Sequence, residues 1–114
     1  MDEQKVLILD TTLRDGEQTS GVSFTETEKL SLAKILLEEV KVDRLEITSA
    51  RVSEGEKRAA LRILNWAKDT DHLEKIEILG FADQCESVKW IQEVRGKVMN
   101  LLAKGSVKHL TGQL

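Results

Sequence analysis

Apolar and polar positions along the chain repeat one phrase: a short apolar run, a polar turn, then apolar residues at helical spacing. Lys5 to Asp10 is an unbroken apolar run closed by a carboxylate, which predicts a strand buried on both faces. A polar stretch from Thr11 to Ser23 follows, and then Leu30, Ala33, Leu36 or Leu37 and Val40 recur at helical spacing behind a Thr25/Glu28 capping box. Val42 to Thr48 predicts the second strand. Ser53 with Glu56 repeats the capping box, and Ala60, Leu61, Leu64 and Ala67 form the face of a second helix. Lys75 to Gly80 predicts a third strand. Asp83 with Glu86 opens a third helix, whose inner edge is Val88, Ile91 and Val94 or Arg95. Lys97 to Ala103 predicts a fourth strand, and Ser106 starts a last amphipathic piece with Val107, Leu110 and Leu114 facing inward.

Four strand-helix units in succession, joined by right-handed crossovers, require a parallel sheet. Either an open doubly wound sheet or a (β/α)8 barrel supplies one. A barrel needs about 250 residues, and this chain has 114. The expected fold is therefore α/β, with parallel β/α units forming the first half of a TIM barrel, and residues 1–114 are expected to be the incomplete N-terminal portion of one catalytic domain.

Composition narrows the setting. Hydrophobic residues make up 40% and charged residues 32%, enough for one core, and the absence of Pro and Tyr leaves Leu, Ile, Val and Ala to fill it. With 17 basic against 20 acidic residues interspersed, no basic stripe invites a nucleic-acid partner. There is no apolar run of about 18 residues and no basic-then-apolar leader, so neither a membrane nor a secreted setting is expected. The lone Cys85 cannot form an internal disulfide and suits a reducing, cytoplasmic compartment.

The densest polar cluster is Asp10-Thr11-Thr12-Leu13-Arg14-Asp15-Gly16-Glu17-Gln18, directly after the first strand. In parallel α/β proteins active sites are assembled on that face. Asp10 and Asp15 are hard oxygen donors suited to a divalent cation, and Arg14 is a permanently charged fork able to hold a carboxylate or an enolate oxygen. A solvated loop with local Arg-Asp pairing is the plainer alternative for such a triplet alone. Glu46, bracketed by Leu45 and Ile47, should face a barrel interior, where it either pairs with an arginine or touches substrate. Leu79 and Leu102 stand near the ends of strands three and four, as core packing or as an apolar pocket wall. Arg51, His72 and His109 are expected to be solvated, and Cys85 to be inert.

The nine-residue string resembles the signature of the metal-dependent acyl-CoA aldol enzymes: 2-isopropylmalate, citramalate and homocitrate synthases and the related hydroxymethylglutaryl-CoA lyase. Val22-Ser23-Phe24-Thr25, Asp43 to Ile47, Ser49 to Ser53, Ile78 to Phe81 and Asn100 to Ser106 are similar to the synthase branch, the later strings most of all to citramalate synthase. The resemblance implies a TIM barrel in which Asp15 binds a divalent ion (Mn, Mg or Zn), Arg14 stabilises the developing enolate or ketone oxygen, and Gln18 helps position substrate. It implies acetyl-CoA as co-substrate, a small 2-oxo acid as partner, and a homodimer. Leu79 and Leu102 as bulky apolar walls would favour pyruvate, giving citramalate in branched-chain amino-acid biosynthesis. A 2-isopropylmalate synthase using 2-oxoisovalerate is the alternative within the family. A lyase, or an inactive half-barrel that only self-associates, is the alternative outside it. The family's His-x-His ligands, its acid/base glutamate and most of its acyl-CoA site are expected after residue 114, so the 114 residues alone are expected to be inactive.

Overall fold

The computed structural model describes residues 7–14, 24–103 and 106–110. The strands are β1 (Leu9–Asp10), β2 (Arg44–Ser49), β3 (Ile76–Phe81), β4 (Val98–Ala103) and β5 (Ser106–Leu110), in the spatial order β1-β2-β3-β4-β5. The first four pair in parallel. Between them run α1 (Glu26–Lys34), extended by a π-helical turn Ile35–Val40, then α2 (Glu54–Asp69) and α3 (Glu86–Glu93). Four sequential parallel strands alternating with helices are half of a (β/α)8 barrel.

Local chemistry explains the helix starts. Thr25 and Glu28 form the complete reciprocal capping box on α1, and the amide N–H of Thr25, then its hydroxyl, hold the Glu28 carboxyl below its ordinary range. Ser53 caps α2 through the Glu56 N–H, while the Glu56 carboxylate lies 3.7 Å from the buried Lys29 of α1. At α3 the expected Asp83/Glu86 box is replaced. Gln84 and Cys85 both take left-handed conformations, delaying the helix, so Asp83 instead accepts from the N–H (2.9 Å) and hydroxyl (2.7 Å) of Ser87. The buried faces differ in detail from those expected: α2 buries Ile63 with Ala60, Leu64 and Ala67 and leaves Leu61 half-buried, and α3 buries Ser87 and Trp90 with Ile91 and leaves Val88 half-buried.

All three helices contribute to one apolar cluster, in which Ala33, Leu37, Ile63, Leu64, Trp90 and Ile91 meet Leu45, Ile47, Ile76, Ile78 and Met99 of the strands. The helices therefore cover a single face of the sheet. The opposite face carries Glu46, Glu77, Leu79, Val98 and Asn100; all five are buried, yet Leu79 and Val98 stand outside that cluster.

Two expectations about the edges are corrected. Leu7, Ile8 and Leu9 are 55%, 59% and 44% exposed, not buried on both faces, because β1 pairs with β2 alone. Among the described residues the expected last amphipathic piece is not helical, and Leu114 lies outside them. Ser106–Leu110 is a strand antiparallel to β4, with Ala103 opposite Ser106. Only Lys104 and Gly105 separate the two strands, and a two-residue connection containing glycine is a hairpin signal that outweighs the weak helical spacing of Val107 and Leu110.

Candidate functional site

The site is built where β1 ends. Asp10 Oδ1 accepts the N–H of Thr12 at 2.9 Å and the N–H of Arg14 reaches the carbonyl of Thr11 at 3.1 Å, an aspartate-anchored turn that reverses the chain. Leu13, 1% exposed, pins the turn into the core. Arg14 is thereby carried over the inner face of the sheet, where its Nε–H donates to Glu46 Oε1. The second carboxylate oxygen of Glu46 accepts from Asn100 Nδ2 at 2.7 Å. Glu46 is thus held on both oxygens, by a guanidinium from the β1 loop and a carboxamide from β4.

That second bond reaches across β3. Strands two apart in a flat sheet are about 9.5 Å apart, and side chains standing perpendicular to it do not converge. Glu46 and Asn100 meet because the sheet curls inward, and a register shift immediately after Glu46 bends β2 at that point. Nearer the N-terminal ends of the strands a second pair lines the same face. Arg44 Nε donates to Glu77, which is in register with Glu46, and Arg44 Nη2 donates to the carbonyl of Glu74 at 3.2 Å. Burial lowers the Arg44 guanidinium from its usual value. Each of the two adjacent buried carboxylates therefore has its own arginine, as burial of two like charges demands.

The structure brings Arg14 and Glu46 together as an ion pair. Leu79 lies on the same face, paired in register with Asn100 and 7% exposed. Leu102 falls opposite Phe81 on β4, and its side chain lies outside the description. Asp15 and Gln18 are likewise outside the described residues. Among the described residues no three His, Cys, Asp or Glu side chains come together to hold a metal ion, and the inner-face carboxylates Glu46 and Glu77 are both engaged by arginines. The described part thus makes no metal site.

On the same rim, Arg51 is exposed and donates to Asp83 at 3.1 Å, tying the loop after β2 to the loop after β3. His72 corrects the expectation of a solvated side chain. It is half-buried, its ring lies 5.5 Å from that of Trp66, and its Nδ1 is buried without a hydrogen-bond partner. Asn100, Glu77 and Arg44 were not singled out from sequence. The readable signal was a polar residue inside an apolar strand, Val98-Met99-Asn100-Leu101 and Ile76-Glu77-Ile78, since such a residue is buried only with a partner.

With this geometry in place, comparison with known proteins is decisive at the family level. The HMGL-like family profile matches residues 5–100. The chain belongs to the HMGL-like family. Homocitrate synthase AksA of Methanopyrus kandleri is 49% identical over 69 residues, covering 60% of this chain and 17% of that protein. A second protein of that organism, provisionally named (R)-citramalate synthase CimA, is 49% identical over 67 residues, 59% of this chain and 13% of its own length. The 2-isopropylmalate synthase of Vesicomyosocius okutanii subsp. Calyptogena okutanii is 49% identical over 61 residues, 54% of this chain and 12% of that enzyme. The match therefore spans less than a fifth of each relative. Three differently named synthases share one level of identity, so identity does not choose a substrate among them.

Proposed function

We propose that this HMGL-like chain is the N-terminal portion of a catalytic barrel that condenses acetyl-CoA with a small 2-oxo acid, pyruvate favoured, in branched-chain amino-acid biosynthesis in the cytoplasm. The observation that supports it most is Arg14, placed over the inner face at the end of β1 and fixed there by a buried carboxylate. In such a condensation the acetyl methyl group gives a proton to a base, its carbon attacks the ketone carbon of the 2-oxo acid, and water then cleaves the thioester to leave the free acid and CoA. In the attack the former ketone oxygen gains negative charge. A guanidinium already oriented and partly desolvated stabilises that oxygen without reorganising. Glu46 serves Arg14 by fixing its plane and balancing its charge. Leu79 offers an apolar wall that suits a methyl group and provides nothing for a distal carboxylate. Asp15 is proposed as one ligand of the divalent ion and Gln18 and Leu102 as substrate contacts, on the resemblance of their sequence strings alone.

The test is release of CoA by the full-length protein, followed with a thiol-reactive dye. Pyruvate should outpace 2-oxoisovalerate and 2-oxoglutarate, with a margin set by about 1 to 3 kcal/mol per pocket methylene. Leu79→Ala should narrow the margin towards the branched acid. A preference of the unaltered protein for 2-oxoisovalerate would assign it to the isopropylmalate reaction.

A further inference from the structure

We infer that Asn100 is a positioning residue for the proposed site, setting the orientation of Arg14 through Glu46. The inference rests on the reading of Arg14 as the oxyanion-holding group, and it adds a residue that this reading does not require. The argument starts from geometry. Arg14 sits on a turn that follows a strand of only two residues, and its side chain is 18% exposed. Neither the strand nor the core alone fixes where a long, flexible side chain ends. Glu46 carries its carboxylate three rotatable bonds out from the backbone that β2 fixes, and a carboxylate held on one oxygen can still turn about the last of them. Asn100 removes that freedom: at 4% exposure it is buried, and it donates to Oε2 at 2.7 Å while Arg14 donates to Oε1.

The energetics favour an active part for the amide over simple filling of space. An asparagine in the middle of an apolar strand is tolerated only with its polar atoms engaged, and a donor to a buried carboxylate is among the stronger neutral-to-charged bonds. A leucine has the same branched outline and would bring no polar atom to bury. The asparagine carboxamide supplies what leucine lacks, an N–H directed at Glu46 Oε2. The chain Asn100, Glu46, Arg14 links β4, β2 and the β1 loop, so the orientation of the guanidinium depends on two strands that are not neighbours. Sites hold productive geometry through this kind of support behind the contacting group.

Two measurements test it. In the 114-residue chain, hydrogen exchange at the Arg14 Nε–H, read by NMR, should accelerate about tenfold in Asn100→Leu and in Asn100→Asp, since both remove the donor, leucine with the same branched outline and aspartate with a like charge facing Glu46. Glu46→Gln should accelerate it as well. In the full-length protein, Asn100→Leu should lower kcat for CoA release about tenfold while KM for the 2-oxo acid changes little, because orientation of the charge-holding group matters most in the transition state. A residue that only supported the fold would lower the thermal midpoint and leave kcat per folded molecule unchanged. Unchanged Arg14 exchange in Asn100→Leu, with acceleration in Glu46→Gln, overturns the inference. Should neither Asn100 variant fold, the unaltered chain decides: the Asn100 side-chain amide should exchange slowly and show a nuclear Overhauser contact to the Glu46 methylenes, and its absence overturns the inference. If the unaltered full-length protein releases no CoA with any 2-oxo acid, the acyltransferase reading fails, whereas the exchange measurement, which needs no substrate, still decides the role of Asn100.

Discussion

At the scale of single residues the inner face is governed by how buried charge is compensated. Glu46 and Glu77 stand side by side in register, and each is neutralised by an arginine from a different part of the chain. Near the rim Asp83 follows the same logic in a more open setting. Its carboxyl is held below its ordinary 3.8 first by the N–H of Ser87, then by the Ser87 hydroxyl, then by Arg51. A carboxylate depressed in the folded state stabilises the fold above its unfolded value, and that stability is lost as pH falls through the folded value. The thermal midpoint of the chain, followed from about pH 6 down to about pH 2, should therefore fall on the acid side. Asp83→Asn should have a lower midpoint at neutral pH and a shallower acid limb. Equal limbs in the two proteins would remove Asp83 from that role.

At the scale of elements, close packing between β3, β4 and α3 makes Gly80 a sensitive position. A Cβ there would collide with the Met99 Sδ, lie 2.8 Å from Met99 Cγ and 3.3 Å from Ser87 Cβ. Gly80→Ala should destabilise the chain by about 1–3 kcal/mol, seen as a lower denaturant midpoint at unchanged slope. An unaltered midpoint would mean that Met99 moves aside freely. The elements themselves were legible where local chemistry and period agreed. Thr25/Glu28 and Ser53 announced α1 and α2, and the apolar strings announced the order and parallel pairing of β1 to β4. Legibility failed where the deciding term was tertiary. The left-handed Gln84 and Cys85 moved the start of α3; Ile91 and Val94 are buried as read, Trp90 joins them, and Val88 stays half-buried against the core. The burial of Leu7 to Leu9 was overestimated because a sequence does not say which strand lies at an edge. For Glu46 the choice between ion pairing and substrate contact stayed open, and the structure shows the ion pair with Arg14. Asn100 went unread because its partner is 54 residues away and no local spacing reports it.

At the scale of the whole molecule, the five strands among the described residues form a curled sheet with helices on its convex face and charge pairs on its concave one. Such a sheet has two ends, and Leu7, Ile8 and Leu9 are exposed apolar residues along the β1 edge, a surface that neighbouring strands cover when a barrel closes. The matched stretch accounts for only 12–17% of the relatives' lengths, which fits the proposal that catalysis belongs to a larger barrel of which this sheet forms one side. The central claim is that Arg14, held by Glu46, stabilises the oxygen on which charge develops. The most direct measurement is kcat for CoA release from acetyl-CoA and pyruvate by the full-length protein, unaltered and as Arg14→Lys. A lysine keeps the charge but not the fork that reaches Glu46 and substrate together, so the rate should fall by at least about 100-fold with the fold retained. Near-normal turnover in Arg14→Lys would contradict the account.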